Sequence, residues 1–366
     1  MVFVFLSLIT FFFYGVIRKK KTSQYLSIIL LIIYAIIFSM RAMDVADTEP
    51  YYDIYYGFID PNMEIGYLYL NNVFRHWNLE FHYFLLIIAI FDLGLWAYFT
   101  QKTLCQKELL IPLAFFMSNM GMIYYGIVLR SGMASSIMMI PIYKMMVSYN
   151  QSQKMVYSLS RKTIDNMKII ILFFVCIFFA GLFHQSVYVV IVALLLYYMP
   201  LTKKNQYIIL FLALFVSAIP SMPQFISSNV QPLLEKFNLR MSSRFDREII
   251  HGLSWYQILN VFFGFIYIRL SDTCRSISLQ KQYQFILNLY IIGVFMSGAF
   301  SFLTAGARIG HLLIFYEFFL PALLLKEELN YQKRKKILST FLFIIILNFA
   351  RNLYGTPSLI NYIGLI

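Results

Sequence analysis

Five groups of residues in this chain could act on a phosphorylated, hydroxyl-rich substrate. The first is Arg41, Asp44, Asp47, Tyr51, Tyr52, Asp53 and Tyr55. Tyrosine faces stack on sugar rings, and carboxylates accept hydroxyl hydrogen bonds. An aromatic belt with ordinary loop charges is the plainer alternative, but it explains neither Arg41 nor Asp47. The second is Arg130 with Gly126, Ser131, Gly132 and Ala134 in LRSGMASS. A fixed guanidinium beside small residues suits a phosphate, as do the free N–H groups where a helix begins; a snorkelling arginine is the bland reading. The third is His184 with Gln185 and Ser186 in FHQS, between two apolar runs. Such a histidine is a base, an orienting donor or a capped helix end. The fourth is Arg240, Arg244, Arg247 and His251, whose spacing of 4, 3 and 4 puts them on one helical face. They form either a solvated charged helix or a cationic lid. The fifth is Gly306, Arg308, Gly310 and His311, opening an apolar run. An arginine there needs a carboxylate such as Asp47, or a ligand.

The same residues exclude other chemistry. No HExxH pattern and no His/Asp cluster at ligand spacing occurs, so no protein-bound metal is expected. Cys105, Cys176 and Cys274 are too scattered for a disulfide framework. The formal charge of +13 is read as topology signal and contact with anionic membrane lipid, since no nucleic-acid-binding motif accompanies it.

The elements that position these groups are membrane helices. The 366 residues are 60% hydrophobic and 13% charged, with mean hydropathy +0.70, the composition of an integral membrane protein. Twelve apolar segments (ten to fourteen within the uncertainty of the ends) fit the chain: about 2–17, 24–40, 82–100, 109–127, 130–148, 168–183, 186–200, 206–220, 255–270, 284–303, 309–325 and 337–353. The expectation is one all-α polytopic domain over residues 1–366, with the first segment a retained helix instead of a cleaved leader.

Alternate loops carry the lysines: Lys19–Lys21, Lys102 and Lys107, Lys154–Lys168, Lys203 and Lys204, Lys281, and Lys326–Lys336. By the positive-inside rule these loops face the cytoplasm, and both termini face outside. The other loops hold Arg41, Arg75, Arg130, Arg240, Arg244, Arg247 and Arg308, with Lys236 as their single lysine. Positive charge kept outside needs a reason, and phosphate or pyrophosphate supplies one. Two outer loops are long. Residues 41–81 include an amphipathic stretch from Glu64 to Trp77 that suits an interfacial helix. Residues 221–254 carry the arginine cluster and suit a lid.

On these residues the chain resembles the EpsG family, a branch of the Wzy-type polysaccharide polymerases. The likeness rests on Arg41, Asp47, Tyr51 and Tyr55, then Glu64, Gly66 and Tyr67, then Arg130, Gly132 and Ala134, and then His184 and Ser186. It covers mainly the first 200 residues. Ser131 stands where a glutamine is expected, and Ala46 where a glycine is. The resemblance implies a GT-C-like polymerase architecture, polyprenyl-pyrophosphate-linked oligosaccharides as donor and acceptor, and no cofactor. It also implies work alongside a flippase and a chain-length regulator in a bacterial cytoplasmic membrane.

On that footing His184, Asp47 and Arg130 are the expected catalytic residues. His184 is slightly preferred over Asp47 as base, because imidazole is the stronger base near neutral pH. Arg41, Arg240, Arg244, Arg247, Arg308, Tyr51, Tyr55, Glu64 and His251 are expected to bind substrate. Arg130, Arg244 and Arg308 are expected to converge on one cavity. A lipid-linked glycan flippase or transporter, and a glycan ligase, are the rival readings.

Overall fold

A computed structural model of the chain describes residues 2–16, 20–58, 63–104, 109–149, 159–219, 228, 253–301, 307–327, 330–355 and 362. Every regular element among them is helical. In chain order these are α1 (Val2–Val16), α2 (Lys20–Ser39), α3 (Thr48–Tyr55), α4 (Ile65–His76), α5 (Phe81–Thr103), α6 (Leu110–Ser118), α7 (Met120–Tyr124), α8 (Leu129–Ser148) and α9 (Leu159–Gly181). A 3-10 turn over Gln185–Ile191 leads to α10 (Val192–Tyr198) and α11 (Lys203–Ala218). Then come α12 (Trp255–Leu270), α13 (Ile277–Ala299), α14 (Ala307–Ile314), α15 (Phe319–Lys326) and α16 (Tyr331–Gly355).

The expectation of about twelve membrane helices in a GT-C-like arrangement is overturned. Among the described residues four helices are long and apolar enough to cross a membrane: Thr22–Ser39, Phe81–Thr103, Arg308–Lys326 and Tyr331–Tyr354. Phe3–Tyr14, Asn166–Gly181 and Gln185–Tyr198 are apolar but shorter. The reasons are local. The run at 109–127 breaks at Asn119 (φ −133, ψ −95) into a nine-residue and a five-residue helix. The run at 130–148 is one helix, but Arg130, Lys144 and its serines dilute its apolarity. The runs at 206–220 and 255–270 form helices of 16 residues each. At a rise of 1.5 Å that is about 24 Å, short of a hydrocarbon core of about 30 Å. Sequence windows also count tyrosines that lie beyond a helix end.

Several faces remain apolar at the surface. Ile28, Ile29, Ile32 and Ile36 on α2, Ile87, Ile90 and Phe91 on α5, and Phe174, Val175, Phe178 and Phe179 on α9 are all exposed. Water tolerates no such continuous apolar cover, whereas lipid does. The protein is a helical, multi-pass membrane protein.

The chain divides into two compact units. The first comprises Met1–Tyr188, Arg275–Gln282 and Phe318–Ile366. Its core around α3, α4, α5 and α8 packs Tyr51, Tyr55, Tyr67, Phe74, Phe81, Phe84, Leu129 and Met133 together. On α4 the spacing of Tyr67, Asn71 and Phe74 turns one stripe inward. The second unit comprises Val189–Cys274 and Tyr283–Glu317. There Thr202 caps α11 and Ser254 caps α12, each side chain accepting from a backbone N–H three residues on.

Candidate functional site

Glu64, just before α4, is the acid around which the first unit's charged groups assemble. Its carboxylate Oε2 accepts a hydrogen bond from Arg130 Nη1 in α8. Its Oε1 accepts from the Gln185 backbone N–H at 3.3 Å and lies 3.6 Å from His184 Nδ1. At 3.6 Å the imidazole is an electrostatic neighbour, beyond hydrogen-bond length. Glu64 is 7% exposed, against 21% for Arg130 and 18% for His184. Burial alone would raise the Glu64 carboxyl. His184 and the Arg130 guanidinium outweigh that and hold it down at about 2.

Backbone packing brings these residues together. α9 ends at Gly181, and the Phe183 and His184 amides both donate to Ala180 O at 3.0 Å, which turns the chain. The Gly66 amide then donates to Leu182 O at 2.9 Å. A Cβ on Gly66 would sit 2.8 Å from both Leu182 O and Leu182 Cβ, so only glycine lets α4 lie this close to the turn bearing His184. Gly132 permits a second close approach, since a Cβ there, at the start of α8, would collide with Tyr124 O. The Gly66 contact brings Glu64 to the turn bearing His184, and the Gly132 contact packs the start of α8, which carries Arg130, on the preceding turn.

Tyr51 lies beside this group. Its ring is 5.8 Å from the Arg130 guanidinium and 5.6 Å from that of Arg41, and 5.6 Å from the Tyr67 ring. Arg41 is wholly buried. Its Nη1 donates to Gly126 O at 3.1 Å and to Ile127 O at 3.3 Å. The Tyr362 hydroxyl donates to the same Gly126 oxygen at 2.6 Å, and Ala42 N donates to Tyr362 O at 2.7 Å. The segment holding Arg41 is thus tied to the hairpin before α8.

The structure therefore groups Arg41, Tyr51, Glu64, Arg130 and His184. Asp47 stands at the start of α3 in the left-handed region, with φ 64, one turn ahead of Tyr51. Glu64 is the carboxylate that meets Arg130 and lies beside His184. Tyr55 is a core residue: it packs on Phe81 and Phe84, and its hydroxyl donates to Leu79 O at 2.6 Å. Arg308 belongs to the second unit, exposed in the first turn of α14. Arg240, Arg244, Arg247 and His251 lie outside the described residues, as does most of the loop 221–254. Among the described residues no group of three His, Cys, Asp or Glu side chains could hold a metal.

Two residues of this neighbourhood carry no mark in a motif reading. Asn71 and Thr48 are buried polar side chains at 1% and 0% exposure. Asn71 was detectable in principle, as a polar residue one helical turn after Tyr67 on an otherwise aromatic stripe. Elsewhere in the first unit Asp92 is fully buried in α5, a lone acid within FDLGLW.

Comparison with curated proteins and with solved structures finds no match. One protein-family model does match, that of the EpsG family, over residues 24–363. The match takes in Arg41, Glu64, Arg130 and His184 and extends well past the first 200 residues. The chain belongs to the EpsG family, and with it to the membrane proteins of polysaccharide biosynthesis.

Proposed function

We propose that this protein is a membrane glycosyltransferase that polymerises polyprenyl-pyrophosphate-linked oligosaccharide units into an exopolysaccharide, capsule or O-antigen. The observation that carries this reading is the single carboxylate of Glu64 bonded to the Arg130 guanidinium with the His184 imidazole 3.6 Å away. One such anchor presents a cation and a base side by side, the pair that glycosyl transfer from a pyrophosphate requires.

In the reaction, the terminal hydroxyl oxygen of one lipid-linked oligosaccharide attacks the anomeric carbon of another. The bond from that carbon to the pyrophosphate oxygen breaks, and polyprenyl pyrophosphate leaves with the electron pair. His184, beside the Glu64 carboxylate, takes the hydroxyl proton. Arg130 stabilises the charge growing on the leaving group. The pyrophosphate bond supplies the driving force, so no nucleotide enters. Glu64 stays ionised throughout, because its low proton affinity makes it an orienting group and a poor base. In this reading the site faces the outer side of the cytoplasmic membrane. Flippase and chain-length regulator proteins are the partners this role calls for.

The test is incubation of the purified protein with one defined lipid-linked oligosaccharide. A ladder of product lengths is expected. Transbilayer movement without a ladder would make the protein a flippase, and transfer to a protein or peptidoglycan acceptor alone would make it a ligase. Cysteine labelling from outside tests the orientation: it should reach a substitution at Asp60 and miss one at Lys203.

A further inference from the structure

The proposed chemistry uses Glu64, Arg130 and His184, and leaves Arg41 unexplained. Two guanidinium groups flank the Tyr51 ring, at 5.6 and 5.8 Å. One carboxylate, Glu64, answers Arg130. Arg41 is a guanidinium with no exposure. Arg41 Nη1 is satisfied by two carbonyl oxygens, but its Nε and Nη2 have no hydrogen-bond partner. The same holds for Arg130 Nε. The charges of Arg41 and Arg130 both act on the Tyr67 phenol, whose hydroxyl lies beside the Asn71 side chain one turn on along α4. Thr48 Oγ1 and Ser131 Oγ, next in chain to this group, are also buried and without a partner.

So many unmet polar atoms around one buried cation are costly unless something occupies the space between them. Nearly all of them donate, and one of them is a buried guanidinium. An anion accepts from donors of this kind and suits a guanidinium as well. We propose that Arg41, Tyr67, Asn71 and the Nε edge of Arg130 form a phosphoryl subsite that takes one phosphate of a pyrophosphate group. Arg130 and His184 are the partly exposed members, so the anion enters past them and comes to rest against Arg41. This assignment rests on the polymerase reading for the identity of its natural ligand, a polyprenyl pyrophosphate. It divides the two arginines: Arg130 works with Glu64 at the reacting end, while Arg41 holds the part of the leaving group that does not react.

The experiment is titration of the full-length protein, in detergent micelles, with inorganic pyrophosphate and no glycan. Saturable binding is expected. Asn71→Ala and Tyr67→Phe should each weaken it by about tenfold or more, the effect of losing one hydrogen bond to a charged group. Both are milder than changing Arg41, and circular dichroism with thermal melting checks that each variant folds. Polyprenyl pyrophosphate should displace the bound probe, while phosphatidylglycerol should not. Absence of binding, binding unchanged in both variants, or displacement by phosphatidylglycerol alone would each overturn the subsite. Because no glycan is present, these outcomes are independent of chain growth. A protein that builds a ladder but ignores pyrophosphate loses only this inference, and one that binds pyrophosphate but builds no ladder loses only the polymerase.

Discussion

Each compact unit buries a polar network, and the two networks are built differently. In the second unit Gln206 Nε2 donates to Gln284 Oε1 at 2.7 Å and to Asn288 Oδ1 at 2.8 Å. Nearby, Tyr290 donates to Asn260 O at 2.8 Å, Tyr283 to Tyr267 O at 3.1 Å, and Gln257 to Val294 O at 3.0 Å. These are neutral amides and phenols bonded to one another and to backbone carbonyls, the polar glue of membrane helices. In the first unit the buried groups are two guanidiniums, a carboxylate and an imidazole, with several donors unmet. Gln206 Oε1 and Asn288 Nδ2 are left without a partner in the second unit too, so what distinguishes the Glu64 group is its charge: two guanidiniums and a carboxylate brought together, which is why function is assigned to the first unit.

The sharpest way to break this contrast is to remove the acid. Glu64→Ala leaves Arg130 half-buried without its carboxylate, and such losses cost about 3–5 kcal/mol. A matching large drop in melting temperature is expected in detergent, together with loss of chain growth. The acid side has its own signature. The folded carboxyl titrates at about 2 against an ordinary 4.5, so its stabilisation is full above pH 4.5 and is lost as pH falls towards 2. Glu64→Gln should flatten the melting temperature across that window; a variant with the wild-type acid profile would remove Glu64 as the ionised anchor.

Next in size is His184→Ala. A hundredfold fall in the single-turnover rate corresponds to about 2.7 kcal/mol, and donor binding measured separately should barely change. Full turnover in this variant would leave His184 a structural helix-end residue. Gly66→Ala should cost about 1–3 kcal/mol through overpacking against Leu182. It should also lower activity, because it pushes Glu64 away from the turn bearing His184. The smallest effect is expected in the second unit. Gln206→Leu removes neutral hydrogen bonds and should cost about 1 kcal/mol, with chain growth near normal. Loss of activity there, without loss of fold, would erase the distinction between the two networks.

Much of the neighbourhood was legible as separate pieces. Arg41, Tyr51, Glu64, Arg130 and His184 each stand out as a charge or ring out of place in apolar sequence. Which carboxylate reaches Arg130 was not legible. Asp47 lies closer in chain to Arg41 and Tyr51, but the left-handed turn at Asp47 starts α3, while Gly66 docks the start of α4 on the turn at Leu182. That choice depends on a missing Cβ meeting a distant carbonyl, which no local pattern encodes. Asn71 left one signal, an amide on an aromatic stripe one turn after Tyr67, but that pattern says nothing about which distant charges it meets. The number of spans was misread for a different reason. Apolar composition says that a segment avoids water; it does not say where a helix breaks, as at Asn119, or that sixteen residues fall short of a bilayer.

The central claim is that one protein both extends a glycan and releases the lipid carrier at the Glu64 cluster. The most direct measurement follows chain length and free polyprenyl pyrophosphate together, from one lipid-linked oligosaccharide, in wild type and in Glu64→Gln. The account predicts one polyprenyl pyrophosphate released for each repeat unit added, and both signals lost together in the variant. Carrier release without chain growth in the wild type, or undiminished growth in Glu64→Gln, would contradict it.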